Sequence, residues 1–152
     1  MDRYRILIVD DSSEILRMLS VLLQDRYEII LAQDGIIGYQ KAISYLPDLV
    51  ILDITMPRMS GYQFIEQMNQ VSELKNTPVI FYSAKTSAVD QAYGLKKGAS
   101  AYIPKPSDPD FILEQIEKLL MNVPLQNNER PDYNQVMTHE KSGKDRNIYW
   151  TG

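Results

Sequence analysis

The chain has 152 residues, with 16 Lys+Arg against 20 Asp+Glu, one His and no Cys. That length suits one domain, or one domain with an appendage, and a net charge of −4 offers no footprint for nucleic acid or an anionic membrane. The missing Cys excludes disulfides, thiolate metal sites and Cys nucleophiles, and the lone His139 excludes a His-rich metal site and weakens any Ser-His triad.

Met1 to Arg5 lead straight into a short apolar run, Ile6 to Val9, which Asp10-Asp11 stops. This run is too short for a signal peptide, and no stretch approaches the roughly 20 apolar residues of a membrane helix. The sequence therefore reads as soluble and cytoplasmic, with no membrane partner. Ile6 to Val9 is a first strand. Behind the capping pair Ser12-Ser13, Ile15, Met18, Leu19 and Leu22 fall at helical spacing. Tyr27 to Ala32 reads as a second strand and Asp34 to Tyr45 as a weaker helix. Leu49 to Leu52 is a third, continuously apolar strand, ended by Asp53. Phe64, Met68 and Val71 mark a helix after Gly61. Val79 to Tyr82 is a fourth strand, followed by Ser83, and Ser87 to Lys97 a weak helix stopped at Gly98. Ala101 to Ile103 is a fifth strand. Asp108 then caps a last helix, with Pro109 at its first position and Ile112, Ile116, Leu119 and Leu120 on one side.

Strand and helix alternating five times predict an α/β fold, a doubly wound five-stranded parallel sheet with right-handed crossovers. Continuously apolar strands are those covered on both faces. In such a sheet function gathers beyond the carboxyl ends of the strands. There the sequence places Asp10 and Asp11, Asp53, Ser83 and Lys105. Singly each has a plain reading: Asp11 as a helix cap, Asp53 as a turn residue before Pro57, Lys105 as a solvated loop residue. Jointly, four loops carry complementary chemistry to one edge. Crowded carboxylates repel, and a hard divalent cation with oxygen ligands, Mg²⁺ above all, relieves them. Lys105 and Ser83 remain for the other oxygens of a phosphoryl group, and a carboxylate is itself a competent nucleophile, giving an aspartyl phosphate. At its ordinary pKa it needs no general base.

These residues resemble the receiver domain of two-component response regulators. The matching motifs are Asp10-Asp11, Asp53 within Leu52-Asp53-Ile54-Thr55-Met56-Pro57 with Gly61 beyond, Ser83-Ala84-Lys85, and Tyr102-Ile103-Pro104-Lys105-Pro106. They run in order over about residues 4 to 122. The resemblance implies the flavodoxin-like (βα)5 fold with strand order 2-1-3-4-5. It also implies a phosphorelay switch that is not a dedicated enzyme, although it assists its own phosphorylation and dephosphorylation. By that resemblance Asp53 accepts a phosphoryl group from a histidine kinase or phosphotransfer protein. Asp11, Asp53 and the carbonyl of Thr55 hold Mg²⁺, with Asp10 acting mainly through water. Lys105 pairs with Asp53, Ser83 swings toward the phosphoryl group, and Tyr102 turns inward behind it. The face carrying Tyr93, Lys96, Lys97, Tyr102 and Glu117 is then the surface for a downstream protein target or for a homodimer.

Composition shifts at Val123. Only 7 of the 29 residues from Pro124 to Gly152 are apolar, and their charges cancel. Residues 1–123 therefore read as the receiver and 124–152 as a polar, frayed tail with no output domain, whose Ile148-Tyr149-Trp150 end could dock. Deleting this tail is expected to leave phosphorylation intact and to change only association. Two other readings use a similar sheet. A haloacid-dehalogenase-type phosphatase wants Asp-x-Asp after the first strand and a cap segment. An FMN-binding flavodoxin wants a hydroxyl-rich phosphate loop, which three carboxylates would oppose.

Overall fold

Five strands lie side by side in the order β2-β1-β3-β4-β5, every neighbouring pair parallel. They are β1 (Arg5–Val9), β2 (Glu28–Ala32), β3 (Leu49–Leu52), β4 (Val79–Ser83) and β5 (Ala101–Pro104). The computed structural model describes residues 3–126 and 130–142. Between the strands run α1 (Ser13–Leu23), α2 (Gly35–Tyr45), α3 (Gly61–Asn69) and α4 (Ala88–Lys96). The fold class is as the sequence predicts and the strand order as the resemblance implies, and boundaries differ by a residue or two.

Side chains alternate through the strands and split the core in two. Ile6, Ile8, Leu49, Ile51, Ile80 and Tyr82 face one layer, packed under Leu16, Leu19 and Leu23 of α1 and Ile112, Ile116 and Leu120 of α5 (Pro109–Leu120). Leu7, Val9, Val50, Leu52, Val79 and Phe81 face the other, under Ile37 and Ala42 of α2 and Phe64, Ile65 and Met68 of α3. At about 1.5–3 kcal/mol for each fully buried large apolar side chain, these two layers dominate the driving force.

The helix starts follow local chemistry. Ser12, Asp34, Ser60, Ser87 and Asp108 each accept a backbone N–H as N-caps, and Ser60 with Gln63 completes a reciprocal capping box. The α1 cap is therefore Ser12 and not Asp11, which leaves the Asp11 carboxylate exposed. Val71 lies beyond the end of α3 rather than within it.

The segment after Val123 departs from expectation. Residues 133–142 form a sixth helix, α6 (Tyr133–Ser142), whose Val136 is 1% exposed within the α2 layer. Polar anchors hold this segment. Arg130 donates to the Leu46 carbonyl (2.8 Å) and pairs with fully buried Asp48 (3.1 Å). Arg5, itself buried, donates to Pro131 O (2.8 Å), Tyr45 O (2.7 Å) and Glu28 (2.9 Å). Lys41 pairs with Glu140 and donates to Leu31 O (2.8 Å). The Tyr133 hydroxyl donates to Ile29 O (2.9 Å) and accepts from Ile29 N (3.0 Å). Residues 130–142 are thus a packed part of the fold, because their few apolar groups are supplemented by buried ion pairs. Ile148-Tyr149-Trp150 lies outside the described residues.

Candidate functional site

The sheet ladder runs past the ends of the central strands and fixes two carboxylates. Asp10 N donates to Ala32 O (3.1 Å) and Asp53 N to Val9 O (2.9 Å), so both acids leave adjacent strands on held backbone. Asp10 Oδ1 accepts from Ser12 N (2.9 Å), and Asp53 Oδ1 accepts from Ile54 N (2.8 Å). Asp10 and Asp53 are buried; Asp11 is exposed. One oxygen from each of the three carboxylates lies within 4.8 Å of the others.

Lys105 enters from the end of β5. Its backbone N donates to Ser83 O (2.8 Å), and its ammonium reaches Asp10 Oδ2 at 2.7 Å and Asp53 Oδ1 at 3.6 Å. The sequence reading pairs it with Asp53, whereas in the structure Asp10 is nearer. The nearest Asp53 oxygen is already engaged by Ile54 N, which leaves the deeper Asp10 carboxylate as the stronger acceptor.

Three carboxylates against one ammonium leave the site two charges negative. Burial first, then the Asp10 charge, push the Asp53 carboxyl up from near 3.8 to about 6; Lys105 and the Ile54 N–H oppose the shift, and Asp11 adds to it. The sequence reading assumed an ordinary pKa here, because burial was not legible. At pH 7 such a group is still about ten parts ionised to one protonated. The cluster offers only oxygen donors and carries excess negative charge, which suits a hard divalent cation.

Ser83 is buried at the end of β4, and its Oγ accepts from Lys85 N (3.1 Å). Tyr102 is turned inward: its ring packs on Phe81 (centroids 6.1 Å apart), and its hydroxyl donates to Lys85 O (2.6 Å). Gly94 makes that position possible, since a Cβ there would lie 2.8 Å from the Tyr102 ring. Burial raises the Tyr102 phenol, while a hydrogen bond with Ser83 lowers it. Ser83, Lys85 and Tyr102 are therefore one hydrogen-bonded unit. Thr55 lies exposed on the loop leaving Asp53.

Glu117, expected on the face of α4, β5 and α5, pairs with Arg26 in the turn after α1 (2.9 Å). Phe111, on the same helix, is exposed. Sequence reasoning also missed a tie next to the site: Arg58, on the loop after Asp53, pairs with the α2 N-cap Asp34. The sequence starts the second helix at Asp34 without marking that residue as its cap, and nothing local marks Arg58 as its partner.

A family model described as the response regulator receiver domain matches residues 6–117. Protein PilH of Pseudomonas aeruginosa is 34% identical over 117 residues, which cover 76% of this chain and 97% of the relative. Response regulator ArlR of Staphylococcus saprophyticus is 34% identical over 124 residues, 81% of this chain but 55% of the relative, so the chain spans about half of that protein's length. The solved structure of chemotaxis protein CheY4 of Vibrio cholerae superposes with a TM-score of 0.73 at 34% identity, over 78% of this chain and 99% of the other.

Proposed function

Since the chain belongs to the response regulator receiver domain family, and receivers are phosphorylation-dependent signalling switches, we propose that Asp53 is its phosphoryl acceptor and that a histidine kinase or phosphotransfer protein is the donor. The observation that carries this reading is the Asp10–Lys105–Asp53 arrangement beside Asp11. Asp53 has one oxygen tied to the backbone, which aims the other outward as the attacking atom. Attack forms a P–O bond as the P–N bond of phosphohistidine breaks, and the imidazole leaves neutral with the proton on its other nitrogen. Asp11, Asp53 and the Thr55 carbonyl would hold Mg²⁺, with Asp10 behind them; bound there, the ion neutralises charge on the phosphoryl oxygens. Lys105, already poised between Asp10 and Asp53, turns to a phosphoryl oxygen as negative charge grows.

Ser83 would donate to another phosphoryl oxygen. Its departure from Lys85 N alters the unit that holds Tyr102, and so links the site to the surface of α4, β5 and α5. That surface, with Tyr93 and Phe111 exposed, is the candidate contact for a downstream protein target or a homodimer. We assign residues 1–123 as the receiver, with α6 as a sixth helix upon it. Intact-mass measurement after acetyl phosphate and Mg²⁺ tests the reading. One phosphoryl group is expected, dependent on Mg²⁺ and absent from Asp53→Asn. Phosphoryl uptake by Asp53→Asn equal to wild type overturns the assignment.

A further inference from the structure

We propose that Arg58 is a positioning residue for the cation at the carboxylate cluster, a role that rests on the reading of that site given above: by gripping Asp34 it fixes the path of the loop that leaves Asp53. The inner half of this loop is held by apolar burial. Ile54 and Met56 are in the core, and Gly61 N donates to Ile54 O (2.8 Å). The outer half instead crosses the start of α2 and is held there by charge and close fit. A Cβ on Gly35 would lie 2.6 Å from Met59 O, so the loop rests directly on the helix backbone.

Arg58 has φ +69°, in the left-handed region that a Cβ disfavours and glycine tolerates. Its guanidinium pairs with one Asp34 carboxylate oxygen, while the other caps α2 through Ile37 N (2.8 Å). Asp34 is 8% exposed at its side chain, so its charge is largely desolvated and its partner matters more than in a pair on the open surface. Thr55, whose carbonyl belongs to the proposed cation shell, lies three residues before Arg58. Among the described residues the ion pair is the polar tie between the α2 terminus and the loop, and it lies next to a site that tolerates little displacement of its ligands.

Five full-length proteins decide the matter: wild type, Arg58→Gly, Asp34→Asn, Arg58→Lys and the double variant Arg58→Gly/Asp34→Asn. Asn caps a helix as well as Asp and leaves no buried charge unpaired, so Asp34→Asn should keep the melting temperature without Mg²⁺, while in Arg58→Gly the relief at this φ offsets part of the lost pair. Mg²⁺ affinity, read by titration calorimetry, should nevertheless fall about tenfold in Arg58→Gly and Asp34→Asn, the lower end for residues that orient metal ligands. Arg58→Lys should recover part of the loss. Combining Arg58→Gly with Asp34→Asn should weaken binding no further than either alone. Saturating Mg²⁺ should restore the extent of phosphoryl uptake from acetyl phosphate. Wild-type affinity in both single variants overturns the proposal. A wild-type chain that binds no Mg²⁺ overturns the site reading together with it.

Discussion

A buried carboxylate that prefers a proton makes the folded chain pay for its reactive centre. Asp53 binds a proton more tightly folded than unfolded, near 6 against 3.8. Its favourable contribution is therefore present below about pH 4, erodes as pH rises toward 6, and is gone above. Asp53→Asn should stabilise the chain at pH 7 without divalent cations by about 1–3 kcal/mol, with the advantage growing between pH 4 and 6 and then levelling. Urea titrations at pH 4.5 and 7.5 in a chelator check this, and a pH-independent difference would sink it. The same ionisation should give phosphoryl uptake an acid limb at low Mg²⁺, with uptake falling below about pH 6 and rescued as the ion is raised. Gly61 is a second residue with a local cost to report. A Cβ there would lie 2.5 Å from Asp53 O, so Gly61→Ala should cost about 1–3 kcal/mol and displace the acceptor. Thermal unfolding and uptake measured on one preparation test both halves.

Among the elements, what sequence revealed was whatever depends on neighbours in the chain. The continuously apolar runs, such as Ile6 to Val9, and the caps Ser12 and Asp108 are local signals, and the structure keeps them. The four strand ends that converge on the cluster were legible for the same reason. Helix α6 was not, because little in it is periodic or apolar; Val136 alone of its residues is buried. Its partners Arg5, Ile29 and Lys41 lie about a hundred residues away, and no window of sequence contains both sides. The pair of Glu117 with Arg26, 91 residues apart, was out of reach for the same reason. The polar character of the α6 contact has a consequence. Tyr133→Phe removes one hydroxyl that serves both the N–H and the C=O of Ile29, and should cost about 1–3 kcal/mol. Hydrogen exchange at the Ile29 amide should rise with it, whereas unchanged protection would mean another group takes over.

For the whole molecule, residues 130–142 tie back to the start of the sheet. Arg130 shares Asp48 with the Arg5 backbone, and the Arg5 guanidinium in turn holds Pro131. A chain ending at Gln126 keeps Asp48 and Arg5 but loses those partners, together with the cover that Val136 gives the α2 layer. Breaking buried ion pairs of this kind costs about 3–5 kcal/mol, or roughly 10 °C in melting temperature for a chain this size. The sequence alone suggested that removing residues 124–152 would change association only; the packing of 130–142 predicts a large loss of stability instead. A melting temperature within about 2 °C of the full chain would return α6 to the status of an appendage.

The oxygen of Tyr133 stands where the next strand's peptide group would stand. Ile29 and Leu31 are alternate residues of an outermost strand; the Tyr133 hydroxyl meets both outward groups of Ile29, and the Lys41 ammonium the carbonyl of Leu31. A sheet with two open borders can add copies of itself indefinitely, as fibres do; a sheet with one can join a single neighbour and stop. By occupying the Ile29 position, α6 obstructs the β2 border, and growth through the sheet backbone is steered toward the other border.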